Sequence, residues 1–196
     1  MAEILLCRHA TTDANANGRF LSRTDLELNA QGREQALQLG EYLKTLAIER
    51  CFVSPMKRCV QTLELALAEC TPIVRSALRE VDFGEWEMLT SDEIDERWPG
   101  ALAQRRRSAV HFRPPGGESF SDVAMRVAPL LDELRDGRVL VVSHRGTLGV
   151  LERLLRRVPL DYRDVAPMEP AQLRSLSFNG VPDQTPPSGV SKTSLQ

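Results

Sequence analysis

The 196-residue chain is 42% hydrophobic and 27% charged, which suits one globular domain with a real core. Its 25 Lys and Arg residues against 27 Asp and Glu give a formal charge of −2, too near balance to signal a nucleic-acid or membrane-surface binder. No apolar run reaches the ~18 residues of a membrane span, and Met-Ala-Glu leads into Ile4-Leu5-Leu6 with no charged leader or cleavage site. A soluble cytoplasmic protein is expected. Cys7, Cys51, Cys59 and Cys70 lie in apolar segments without CxxC spacing, where reduced cysteines act as small hydrophobes.

In chain order, Glu3–Arg8 is a short apolar run that reads as a buried strand. Asn29 is placed to cap a helix, and Ala36, Leu39, Gly40, Leu43, Leu46 and Ala47 follow at helical spacing. Arg50–Val53 predicts a second strand. Ser54-Pro55 then reads as an N-cap with proline at the first helical position, opening a helix with Cys59, Thr62, Leu63, Ala66, Leu67 and Cys70 on one face. Thr71–Arg75 predicts a third strand, and Ser91–Trp98 a charged helical piece. The basic run Arg105–Arg107 reads as a solvated helix face that could steer anions.

Ser119 opens a further helix, which Pro129 should kink by removing a backbone donor. Asp136-Gly137 turns into Arg138–Ser143, whose Val-Leu-Val-Val core marks a buried strand. A helix near Thr147–Arg157 and a last strand at Leu173–Phe178 complete the pattern. Alternating strands and helices predict an α/β fold, three-layered α/β/α around a mostly parallel central sheet. Residues 1–180 form the expected single domain. The Pro-, Ser- and Gly-rich stretch 181–196 reads as a disordered tail.

In open α/β sheets, ligands bind outside the carboxyl ends of the strands. His9 and His144 both fall at such ends, Arg8 adjoins the first, and Arg58 lies in the first turn of a helix. Two forked cations with helix N-termini outline a phosphate site. A neutral imidazole held in one tautomer among arginines can attack phosphorus. The same donors would stabilise charge on the equatorial oxygens.

Leu6-Cys7-Arg8-His9-Ala10-Thr11-Thr12 with Asn15 resembles the Arg-His-Gly-x-Thr signature of the histidine phosphatase superfamily, which includes the cofactor-dependent phosphoglycerate mutases. Ser54-Pro55-Met56-Lys57-Arg58-Cys59-Val60-Gln61-Thr62 is similar to its Ser-Pro-x-x-Arg-x-x-Gln-Thr block. Leu78–Glu87, Pro115-Gly116-Gly117-Glu118-Ser119 and Val142-Ser143-His144 follow in the family's order, over about residues 4–150. The resemblance implies that His9 becomes phosphohistidine, that Arg8, Arg58 and His144 bind the phosphoryl group, and that Asn15, Thr11 and Arg145 add secondary contacts. Glu80 matches the proton donor, which the chemistry requires because an alkoxide leaves poorly. Asp82 and Glu85 read as solvated carboxylates, and Glu118 as a helix-cap element or a functional contact.

Ala10 stands where the family usually has glycine, Arg145 where many members have a small residue, and Leu21-Ser22 where a polar-Gly pair is common. His111 reads as a loop residue, and no metal or other cofactor is called for. The expected activity is hydrolysis of small organic phosphate monoesters, most like the α-ribazole phosphatase-type members. The alternatives are mutase-type phosphotransfer and a catalytically weak phosphate-binding regulator. The expected partner is a small-molecule phosphate ester rather than nucleic acid or a membrane, and a homodimer is left open.

Overall fold

A computed structural model describes residues 2–178 of the chain; the predicted 181–196 tail and the domain's outer boundary lie outside them. β1 (Ala2–Arg8) leads through a short α1 (Asp13–Ala16) into α2 (Ala30–Leu43). β2 (Arg50–Val53), α3 (Lys57–Ala66) and β3 (Pro72–Val74) follow. Then come α4 (Ser91–Arg97), α5 (Ala101–Arg107), α6 (Phe120–Val127) and α7 (Leu130–Glu133). β4 (Arg138–Ser143), α8 (Arg145–Arg156) and β5 (Leu173–Phe178) close the fold.

The strands form one sheet in the order β3-β2-β4-β1-β5, parallel except for β5 at its edge. Side chains alternate across a strand, so each central strand feeds two cores. Ile4, Leu6, Val139 and Val141 face one layer, with α6 and α8. Leu5, Cys7, Leu140 and Val142 face the other, with α2 and α3. The expected three-layer architecture is therefore the observed one. Burying a Leu or Val side chain of this kind contributes roughly 1.5–3 kcal/mol. The α2–α3 contact depends on Gly40, where an added Cβ would lie 2.7 Å from the Ala66 carbonyl oxygen.

Local capping follows the sequence at several points. Asn29 accepts the Gly32 N–H, and Ser119 closes a capping box with Asp122. Pro129 does more than kink its helix: α6 ends at Val127 and α7 starts after the proline.

Three expectations are corrected. Ser54 does not cap α3, which begins at Lys57 after an uncapped Met56; its hydroxyl goes instead to His144. Cys70 lies beyond the end of α3 and forms a disulfide with Cys51, leaving only Cys7 and Cys59 as free, buried thiols among the described residues. Their burial pushes both thiols up, Cys7 to about 12. α8 begins at Arg145, because His144 is its N-terminal boundary residue and the helix starts directly at the strand end.

Candidate active site

Register brings the two histidines together. Arg8 of β1 is paired with Ser143 of β4, so both strands stop at one level and the next residues, His9 and His144, emerge side by side. The His9 N–H donates to the Ser143 carbonyl at 2.9 Å, and the two imidazole centres are 5.1 Å apart. His9 is only 3% exposed.

Its Nδ1 lies 2.8 Å from the Ala10 carbonyl oxygen. A carbonyl only accepts, so Nδ1 carries the proton and Nε2 keeps its lone pair. Burial, then Arg58 and Arg8, hold the His9 imidazole well below its ordinary range, which keeps the ring neutral. Ala10 itself donates its N–H to Thr62 Oγ1 at 3.0 Å. It does not occupy the left-handed region, where among non-glycine residues only Met88, Arg157 and Ala171 are described, so alanine costs nothing in place of glycine there.

His144 and Arg58 are fully buried. Arg58 Nε donates to His144 Nδ1 at 3.3 Å, so His144 Nε2 carries its proton and donates to Ser54 Oγ at 2.8 Å. Arg58 also donates to the carbonyls of Thr24 and Ser22, at 3.0 and 2.9 Å. Burial, followed by Arg58 and His9, holds His144 well below its ordinary range. The Cys59 thiol packs 3.4 Å from His144 Nε2.

Arg8 is buried, with Nη1 donating to the Met168 carbonyl at 2.9 Å. Its Nε has no hydrogen-bond partner among the described residues. A buried guanidinium donor without an acceptor costs free energy, and an incoming anion would recover it.

Glu80 faces this group from the loop before α4 and is 6% exposed. Its Oε1 accepts the N–H groups of Val81 and Thr147, at 2.8 and 3.0 Å, and Oε2 accepts Gly146 N–H at 3.2 Å. The carboxyl group of Glu80 is thus seated against the N-terminus of α8. Gly146 permits that approach: an added Cβ would meet Val81 Cγ2 at 2.6 Å and Glu80 Oε1 at 2.8 Å.

Asp82 and Glu85 take other roles. Asp82 pairs with Arg23 at 2.8 Å, and Glu85 is exposed. Glu118 caps no helix: it accepts the Asp82 N–H at 3.0 Å and pairs with Arg126, which in turn donates to the Glu80 carbonyl at 3.1 Å.

A cavity of about 690 Å³ opens over Arg8 and Glu80, also lined by Asn15, Arg145, Gly146 and Arg105. Asn15 Oδ1 accepts the Thr12 backbone N–H at 3.2 Å, closing the capping box of α1. Thr11 does not line the cavity: its N–H and hydroxyl both go to Gln35 Oε1, at 3.0 and 2.8 Å. His111 is exposed in the turn after α5.

Sequence reasoning misses Ser54 as the partner of His144, Thr62 as the acceptor under Ala10, and Arg126 beneath Glu80. Each is a long-range contact. Arg105 departs from the solvated face expected of the basic run, because its guanidinium turns inward over aromatic rings. Among the described residues, no group of three or more His, Cys, Asp or Glu side chains is arranged to hold a metal ion. No helix there is long and apolar enough to cross a membrane.

The chain is similar to known proteins in sequence and in fold. Residues 4–182 match the model of the histidine phosphatase superfamily (branch 1). A 2,3-bisphosphoglycerate-dependent phosphoglycerate mutase of Rhizobium etli is 31% identical over 173 residues, covering 82% of this chain and 83% of that protein. A 6-phosphofructo-2-kinase/fructose-2,6-bisphosphatase 1 of Mus musculus is 35% identical over 152 residues, 76% of this chain; the match spans only 31% of that longer protein.

Among solved structures, a mycobacterial glucosyl-3-phosphoglycerate phosphatase complexed with VO3 superposes with a TM-score of 0.83 at 30% identity, covering 90% of this chain and 93% of that one. An α-ribazole phosphatase from Shigella flexneri gives a TM-score of 0.81 at 25% identity, covering 90% and 91%. The chain belongs to the histidine phosphatase superfamily, branch 1.

Proposed function

We propose that this protein hydrolyses small organic phosphate monoesters through a phosphohistidine formed on His9. The observation that carries this reading is the buried, unpartnered Arg8 Nε beside a neutral His9 whose Nδ1 is occupied by the Ala10 carbonyl. Arg8, Arg58 and His144 surround the transferring phosphoryl group. Asn15 and Arg145 add contacts from the cavity wall, and Thr11 acts through the loop it braces.

His9 Nε2 attacks phosphorus as the ester P–O bond breaks, and Glu80 delivers a proton to the departing alkoxide oxygen. Water then attacks the phosphohistidine. Glu80 takes back a proton, the N–P bond breaks, and inorganic phosphate leaves with His9 restored. The donors that hold the phosphoryl oxygens supply the electrostatic stabilisation that dominates such transfers.

A second reading is favoured by the Rhizobium etli relative, named as a mutase: the phosphohistidine returns its phosphoryl group to another hydroxyl of the same molecule. One experiment separates them. A panel of phosphate monoesters is offered to the wild type, His9→Ala and Glu80→Gln, following both inorganic phosphate and positional isomers. Phosphate release abolished in His9→Ala, with acid-labile phosphate trapped on wild type only, is the expected result. Isomer formation without phosphate release would favour the mutase. Equal rates in wild type and His9→Ala would refute both, and phosphate-analogue binding with no phosphohistidine on any substrate would leave a regulatory binding protein.

A further inference from the structure

We propose that Glu87 is a positioning residue for phosphoryl transfer: through the backbone of Ser22–Thr24 it fixes the guanidinium of Arg58. The proposal deepens the phosphatase reading and rests on it for what Arg58 binds.

Ser22 and Thr24 bond to a carboxylate through their N–H groups and to a guanidinium through their carbonyls. Glu87 accepts the Ser22 N–H at 3.0 Å and the Thr24 N–H at 2.9 Å. The carbonyls of the same two residues accept Arg58 Nη2 and Nη1, at 2.9 and 3.0 Å. Ser22–Thr24 lies in no helix or strand and makes no backbone-to-backbone hydrogen bond among the described residues. The direction of its carbonyls is therefore set by side chains, and Glu87 holds both of its outer N–H groups.

Arg58 depends on those carbonyls. It is fully buried, and its Nε is taken by His144 Nδ1 at 3.3 Å. With Thr24 and Ser22 on Nη1 and Nη2, one N–H on each remains for a phosphoryl oxygen. A shift of the segment would turn those donors and loosen the bond that fixes the His144 tautomer.

Two further features hold Glu87 to this task. Burial pushes its carboxyl up, but the hydrogen bonds from Ser22 and Thr24 outweigh this and keep it below the ordinary range. The ionised group accepts at both oxygens, including the hydroxyl of Ser22, which stands where glycine is common in the family. Met88, next in the chain, is left-handed with a φ of 61°, and its N–H donates to the Phe20 carbonyl at 2.7 Å. Glu87 is thus anchored beside the segment it orders.

Binding of inorganic phosphate tests this without depending on turnover. Wild type, Glu87→Gln, Ser22→Ala and Glu93→Gln are titrated calorimetrically at neutral pH. Glu87→Gln keeps the shape but loses one acceptor, and should weaken phosphate binding about tenfold or more as Arg58 moves off its mark. Ser22→Ala removes one donor and should weaken binding about threefold. Glu93 is the control, a carboxylate on α4 that accepts Arg19 at 2.9 Å and the Thr90 N–H at 2.8 Å without bonding to residues 22–24. Glu93→Gln should bind phosphate within about twofold of wild type.

Imidazole nitrogen NMR gives a readout that general loosening would not move. His144 should show a protonated Nε2 and a bare Nδ1 in wild type, and signals averaged towards each other in Glu87→Gln. Wild-type affinity in Glu87→Gln overturns the proposal, as does an equal loss in Glu93→Gln or an unshifted His144. If near-ultraviolet dichroism shows Glu87→Gln to be unfolded, Ser22→Ala decides, and wild-type affinity there overturns the proposal. Failure of the phosphatase reading would look different: wild type hydrolyses no ester while phosphate affinity still falls in Glu87→Gln.

Discussion

Arg58 donates through Nε to Nδ1 of His144 across 86 residues of sequence, at 3.3 Å. This bond fixes the tautomer of a fully buried imidazole, because it leaves Nε2 as the protonated nitrogen. The acceptor for that proton is Ser54, at 2.8 Å. A helix and the strand end before it thereby set the chemistry of a residue on a different strand.

Ser54→Ala should break this arrangement. It leaves the His144 N–H buried without an acceptor, which costs about 1–3 kcal/mol of stability. Catalytic efficiency on a phosphate ester should drop roughly 10–100-fold, as a loosened imidazole no longer presents one geometry. Thermal melting and steady-state kinetics of the purified variant check both. Unchanged values would mean that the hydroxyl does not position His144.

Gly146→Ala probes the seat of Glu80. The new methyl would collide with Val81 Cγ2 and Glu80 Oε1, at 2.6 and 2.8 Å. Displacing the carboxylate by about 1 Å should lower kcat on the order of 100-fold, with a smaller effect on KM. Wild-type kcat in this variant would show that Glu80 is not the proton carrier.

The Cys51–Cys70 disulfide closes a loop with a sequence separation of 19 that contains Ser54, Arg58 and Thr62, all hydrogen-bonded around the two histidines. Reduction should destabilise the protein by about 3 kcal/mol, through the entropy returned to the unfolded chain. Thiol titration of protein unfolded without reductant should find two free thiols, those of Cys7 and Cys59. Reaction of all four cysteines would rule the bond out.

Acidification should destabilise the fold through His9 and His144. Both are held well below the ordinary imidazole value of 6.5, so the unfolded chain binds protons that the native state refuses. Stability from these groups is fully present above 6.5 and is lost as pH falls from there towards their native values. The slope should approach about 1.4 kcal/mol per pH unit for each histidine. Urea unfolding between pH 7 and pH 5 measures it, and the double variant His9→Gln, His144→Gln should show a flatter profile. An equal slope in that variant would assign the loss to other groups.

Much of this protein was legible in its residues taken in order. The Val-Leu-Val-Val run of β4, the Asn29 and Ser119 caps and the strand ends at Arg8 and Ser143 are local signals, because periodicity and capping act over a few residues. The strand-end positions of Arg8, His9 and His144, with Arg58, outlined the candidate site, and the family resemblance of their blocks added Glu80.

What only the tertiary structure decided is how those groups meet. Ser54 reads as a cap from its neighbours alone, yet its hydroxyl meets His144 across the sheet rather than capping its own helix. Cys70 looked like one more apolar helix position until the fold brought it to Cys51. Arg105 looked solvated because nothing near it in sequence shows that Phe20, Phe83 and Phe120 converge around it. Hydrogen bonding, disulfide pairing and cation–aromatic contact depend on distances of a few ångströms in space. Sequence separation leaves such distances open until the chain has packed.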